Sequence, residues 1–140
     1  MTYPPYWNAR IETMPLDDLR DIQNIKLQKQ MHYVYERSPF YRRKFDSIGM
    51  KPEHIRTVED LVEFPFTTKE ELRQSQAECP PLGWHCAADL DKVVRVHSSS
   101  GTTGRPVFVG ITERDRQTWI EIVSRLWWCQ GTRPNSRMMI

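Results

Sequence analysis

The stretch His97-Ser98-Ser99-Ser100-Gly101-Thr102-Thr103-Gly104-Arg105-Pro106 gathers groups that can do chemistry together. Five of its side chains are hydroxyls, which rotate to donate toward whatever lies beside them. Gly101 and Gly104 admit left-handed backbone, so successive N–H groups can turn inward around an anion. Arg105 adds a permanent positive charge at the exit. The chemistry that fits is the binding of polyphosphate oxygens. This is not a Walker A loop: no Gly-Lys-Ser/Thr follows, and the next element reads as a strand rather than a helix. The plainer alternative is a flexible Ser/Gly/Thr linker, against which stand the length of the motif and the strands set tightly on both sides.

Those strands are the elements that must position the loop. Val93-Val94-Arg95-Val96-His97 and Val107-Phe108-Val109-Gly110-Ile111 are β-branched runs of strand length. The nine residues 98–106 between them exceed the two to five or so of a tight hairpin, and a connection of that length calls for a task. Thr112 and Asp115 form a capping box. The helix it opens carries Trp119, Ile122, Val123, Leu126 and Trp127 on one face, predicted as core, with Gly131 at its C′ position. Arg133-Pro134-Asn135-Ser136 turns the chain, and Arg137-Met138-Met139-Ile140 reads as the start of another strand. The chain ends there, four residues into the second strand of a strand–helix–strand unit, so the expectation is a truncated domain.

Upstream the pattern is helical. Leu16, Leu19, Ile22, Ile25, Met31 and Val34 recur at three- and four-residue steps, apart from one gap, along a long helix with Pro15 in its first turn. Ser38-Pro39 stops it, and a short helix through Phe40-Tyr41-Arg42-Arg43-Lys44-Phe45 ends at Gly49. Capping boxes are predicted at Thr57 with Asp60 and at Thr67 with Glu70, around an extended Phe64-Pro65-Phe66. Cys79-Pro80-Pro81-Leu82-Gly83 is a break. The expected fold class is α/β. A mainly helical section, 1–90, leads into a section, 91–140, holding the hairpin with its phosphate loop, a helix and the next strand of a larger mixed sheet.

Composition excludes several classes of protein. With 27% charged residues and a net charge of +2, the 140-residue chain shows neither a nucleic-acid arm nor an acidic tail. Cys79, Cys86 and Cys129 are odd in number and lack CxxC spacing, which argues for a reducing compartment. The first residues do not read as a signal peptide, and no run approaches the ~20 apolar residues of a membrane span. A cytoplasmic protein without nucleic-acid or membrane partners is expected.

The loop Ser99-Ser100-Gly101-Thr102-Thr103-Gly104-Arg105-Pro106 resembles the signature phosphate loop of the adenylate-forming superfamily, which includes acyl-CoA synthetases, luciferases and peptide-synthetase adenylation domains. Tyr6-Trp7-Asn8, Ser38-Pro39-Phe40-Tyr41, Phe64-Pro65-Phe66-Thr67-Thr68-Lys69 and Val94-Arg95-Val96-His97 are similar, in order and spacing, to the phenylacetate–CoA ligase branch. The resemblance runs from about Trp7 to the end. It implies that residues 1–140 are part of an N-terminal AMP-binding domain. It implies an enzyme that activates an aryl carboxylic acid in two steps, through an acyl-adenylate, with ATP, Mg²⁺ and CoA. A small carboxylic acid, ATP and CoA are the partners implied, with a homodimer as one expectation for the full-length form. Ser99, Ser100, Gly101, Thr102, Thr103 and Gly104 would line the phosphate site. Arg105 stands where the branch often has Lys, and both a phosphate contact and a solvated flank stay open for it. The position after Pro106, often Lys in the superfamily, is Val107. The groups that hold adenine, ribose and Mg²⁺, most of the acid pocket, and the lid with its catalytic Lys would lie beyond Ile140. Rival readings are an adenylating enzyme with a non-CoA acceptor and a non-catalytic interaction domain.

Other residues invite chemistry with a plainer alternative beside it. His97 could reach a phosphate, or order the strand end through a backbone hydrogen bond. Cys79, His85 and Cys86 suggest a metal, but three candidates around two prolines make a poor zinc site. Arg42-Arg43-Lys44 reads as the wet face of a helix. Trp119 and Trp127 could stack on adenine but are spaced as core, whereas Trp128 lies off their stripe and fits an interface.

Overall fold

The structure, a computed structural model, describes residues 3–99 and 105–137. Helices dominate its first two thirds. A single turn α1 (Ala9–Glu12) precedes the long α2 (Leu16–Arg37), the shorter α3 (Pro39–Ser47), two 3₁₀ segments (Pro52–His54 and Val58–Glu63) and α4 (Lys69–Glu78). A third 3₁₀ turn (Leu90–Lys92) leads into strands β1 (Val93–Ser98) and β2 (Phe108–Thr112), then helix α5 (Glu113–Cys129). The strands pair antiparallel as a two-stranded sheet. This is the mixed helix-and-sheet architecture expected. The strand predicted from Arg137 falls, beyond that residue, outside the described residues.

Local chemistry accounts for most boundaries. Ser38 ends α2 in an extended conformation and caps α3, its hydroxyl accepting from the Tyr41 N–H, with Pro39 at the first helical position. Gly49 follows α3 at φ 67°. Pro15 sits one residue outside α2, at its N-cap rather than in its first turn. The Thr57–Asp60 box forms as predicted but opens a 3₁₀ segment. The α4 box is displaced by one residue from the expected Thr67–Glu70. Thr68 accepts from the Glu71 N–H, while Glu71 takes the Thr68 N–H at 2.7 Å. Glu71 is selected because Lys44 also reaches it (2.9 Å), whereas Glu70 turns to Arg73.

The core is small and lies among α2, α3 and the segments after them. Phe45 and Ile55 are fully buried, with Phe40, Leu82 and Val107 nearly so. The Phe45 ring meets Tyr35 edge-on at 5.5 Å and Phe64 at 4.6 Å. Along α2 the half-buried stripe runs through Leu19, Ile22, Leu27, Met31 and Val34. Leu16 and Ile25, predicted on that stripe, are exposed, and Leu27 is half-buried with it. From the same helix Asn24 accepts the Val58 N–H (3.0 Å) and Gln28 donates to the Arg56 carbonyl (2.7 Å), fastening the 3₁₀ segments.

The face of α5 predicted as core is not covered. Trp119, Ile122, Leu126 and Trp127 are all about half exposed. Two strands are too narrow a sheet to cover a 17-residue helix. Trp128, off that stripe, packs instead against Tyr3 and Trp7 and donates to the Pro4 carbonyl (3.0 Å). Trp7 and Asn8 donate to the Glu121 carboxylate, so the chain's beginning lies along α5. Among the described residues no helix is long and apolar enough to cross a membrane.

Candidate functional site

The hairpin register sets the geometry of the loop. Ser98 pairs with Phe108, His97 with Val109 and Val96 with Gly110, with an irregularity between Val93 and Arg95. One step beyond the ladder, the Ser99 N–H donates to the Val107 carbonyl (2.9 Å) and Ser99 Oγ accepts from the Val107 N–H (3.0 Å). Ser99 therefore closes the neck with both backbone and side chain, and Val107 is buried beneath it. Five of the predicted site residues, Ser100, Gly101, Thr102, Thr103 and Gly104, lie outside the described residues. Ser99 and Arg105, the first and last of the set, stand at the two ends of the connector.

Helix α4 approaches the exit side of the loop. Arg73 Nε donates to the Arg105 carbonyl at 3.0 Å, and Gln76 Oε1 accepts the Phe108 N–H at 3.1 Å. The Arg105 side chain is exposed. Between α4 and the hairpin opens a groove of about 1240 Å³, walled by Ala77, Pro80, Leu82, Val93, Val96 and Phe108, with Arg73 and Arg105 at its lining. Gly110 is tightly packed on this face: an added Cβ would come within 2.7 Å of Leu82 Cδ1. Arg73 and Gln76 carry no sequence signal that singles them out. Only the packing of α4 beside the hairpin brings them to the loop.

The remaining candidates resolve into structural roles. The His97 ring lies on Trp119, centroids 4.8 Å apart, across the hairpin face toward α5. Trp119 thus stands over that strand position. His85 does not gather with the cysteines. Its N–H donates to Ser75 Oγ (3.2 Å) and its Nδ1 lies 3.0 Å from the same oxygen, over Gly83 at φ 82°. Burial pushes the His85 pKa below its ordinary 6.5, with the Phe108 backbone opposing that shift. Cys86 Sγ contacts the Ala88 carbonyl. Among the described residues no three His, Cys, Asp or Glu side chains group to hold a metal. Lys44, read as part of a wet face, is largely enclosed, donating to the Phe66 carbonyl (2.6 Å) and Glu71. Tertiary contact with α4 draws it in. Arg42 and Arg43 stay exposed.

A hairpin with a hydroxyl- and glycine-rich connector, backed by a helical section, is similar in architecture to part of solved CoA ligases. The chain superposes over 95% of its length on a crystal structure of 2-hydroxyisobutyryl-CoA ligase in complex with 2-HIB-AMP and CoA, with a TM-score of 0.84 and 35% identity, covering 29% of that chain. A second structure of that ligase, in the postadenylation state with 2-HIB-AMP, matches at TM-score 0.84 and 33% identity, 28% of it covered. No family model matches the chain. In sequence the chain is a homologue of the phenylacetate–coenzyme A ligases. It is 42% identical over 134 residues to that of Thermus thermophilus and 39% identical over 130 residues to that of Escherichia coli, matching 96% and 93% of its own length. The chain spans under a third of the curated relatives it matches, 28% and 29% of these two.

Proposed function

We propose that this chain is the phosphate-binding part of an AMP-forming acid–CoA ligase, with residues 1–140 belonging to its N-terminal AMP-binding domain. The observation that carries the reading is the closed neck: Ser99 and Val107 bind each other where the hairpin strands give way to the connector. In this reading Ser99 through Gly104 turn hydroxyls and N–H groups toward the β- and γ-phosphates of ATP. A substrate carboxylate attacks the α-phosphorus, pyrophosphate leaves, and an acyl-adenylate remains. CoA thiolate then attacks the acyl carbon and AMP departs. The loop's part is to hold the leaving pyrophosphate in place as its charge builds, with Arg105 adding positive potential beside it.

The acid is aryl-acetic in this proposal, supported by relatives named phenylacetate-coenzyme A ligases. A short hydroxy acid is the second reading, favoured by the solved neighbours, which handle 2-hydroxyisobutyrate on the same fold. The 140-residue chain alone is inactive in this reading, because it corresponds to only 28% and 29% of the length of the two curated relatives. A cytoplasmic setting and a full-length homodimer complete the proposal.

Two measurements test it. In the complete polypeptide that carries this chain, ATP should protect 98–106 from hydrogen exchange, and acid-dependent ATP–pyrophosphate exchange should prefer phenylacetate to 2-hydroxyisobutyrate. Indifference of the loop to ATP sinks the assignment, and the opposite preference moves the substrate to the short acid.

A further inference from the structure

We infer that α4 is a clamp on the exit stem of the phosphate loop, with Arg73 and Gln76 as positioning residues; this rests on the phosphate reading of the loop. The two residues are three apart on α4, hence on one face. Arg73 Nε holds the Arg105 carbonyl at 3.0 Å. Gln76 holds the Phe108 N–H at 3.1 Å through Oε1 and the Pro81 carbonyl at 3.1 Å through Nε2, so its amide cannot swing away. The stem from Arg105 to Phe108 is therefore gripped at both ends by α4, while Ser99 of the opposite stem grips Val107 between them.

Two features separate this grip from ordinary sheet stabilisation. The ladder begins at Ser98 and Phe108, so Arg105 lies outside it, and a bond to its carbonyl acts on the loop alone. The Arg73 guanidinium is also largely enclosed. Its side chain is 21% exposed, Nη1 meets Glu70 at 3.3 Å, and Nη2 is buried with no partner among the described residues. A desolvated guanidinium donating to a carbonyl is a strong, charge-assisted contact. Its position lets the stem be ordered before ATP arrives, so that less of the binding free energy goes into fixing the loop. The cation at this point is consequently a holder of loop backbone, and Arg105 beside it is left to face the ligand.

The test uses the complete polypeptide, with Arg73→Ala, Arg73→Lys and Gln76→Ala compared with the parent. Arg73→Ala should raise the KM for ATP in pyrophosphate exchange about tenfold, the size of one charge-assisted hydrogen bond. Arg73→Lys, which can still donate to the carbonyl, should recover most of that loss. Gln76→Ala should speed exchange of the Phe108 amide in the absence of ATP. Thioester formation from added acyl-adenylate and CoA should keep its parent rate in all three, because the pyrophosphate subsite is then empty. An unchanged ATP KM in Arg73→Ala, with the parent loop still protected by ATP, overturns the clamp alone. Equal losses in both half-reactions overturn it too, since they mark general damage to the fold. No ATP protection of the parent loop removes the phosphate reading and the clamp with it.

Discussion

Lys44 Nζ stands 2.9 Å from Glu71 Oε1 and ties α3 to the first turn of α4. The same carboxylate accepts the Thr68 N–H at 2.7 Å, so one side chain both starts α4 and docks it. The same helix carries Arg73 and Gln76, which reach the loop stem.

Removing that carboxylate should loosen the helix. The Thr68 backbone N–H, then Lys44, hold the Glu71 pKa below its ordinary 4.5. A depressed carboxylate stabilises the fold above its unfolded value, and that contribution is lost as pH falls below 4.5 toward the folded value. Glu71→Gln should lower stability near neutrality by about 1 kcal/mol, a modest figure because Glu71 is partly exposed. It should also flatten the acid limb of a urea-midpoint series between pH 3 and 6, roughly the range in which a carboxylate titrates. An acid limb as steep as the parent's counts against this role.

His85 gives a second pH dependence, in a higher window. Its folded pKa is lowered by burial, so the unfolded chain takes up the proton first. Stability is then fully present above 6.5 and declines as pH drops through 6.5 toward the folded value. A proton-NMR titration should find His85 below 6.5, and His85→Gln should remove the decline; a titration at or above 6.5 contradicts it.

Gly110→Ala should strain the hairpin from inside the groove. The new methyl would lie 2.7 Å from Leu82 Cδ1 and 3.1 Å from Val93 Cγ2, and Leu82 is nearly fully buried. Overpacking of this kind costs about 1–3 kcal/mol. Leu82→Ala in the same chain should relieve part of that strain, so a double-mutant cycle should show non-additivity. Strict additivity is the outcome that would rule out the contact.

Phe45 and Trp127 should respond very differently to truncation. Phe45 is fully buried, and Phe45→Ala should cost about 3–5 kcal/mol. Trp127 is 43% exposed in this chain, so Trp127→Ala should cost under about 1 kcal/mol. Thermal unfolding of the two variants of the 140-residue chain is the measurement. Comparable losses would mean that the α5 face is covered in solution.

The legibility of these features follows the range of the interactions behind them. Caps and turns act within four residues, so Ser38, Thr112 with Asp115, and Gly131 read correctly from the chain. Thr67 with Glu70 reads as well as Thr68 with Glu71, and a residue 27 positions upstream, Lys44, decides between them. Helical periodicity reports which residues share a face but not whether anything covers it, so Trp119 and Trp127 read as core yet stand about half exposed. The contact of the His97 ring with Trp119 likewise has no local signal in the sequence.

The amino-acid sequence by itself determined the hairpin, the length of its connector and the hydroxyl, glycine and arginine chemistry placed there, because β-branched runs and turn residues act through local backbone preferences. Tertiary structure alone decided that Ser99 and Val107 close the neck and that Arg73 and Gln76 grip the exit stem. Those contacts join residues up to 32 positions apart, and a hydrogen bond across that distance exists only once burial has packed α4 beside the strands.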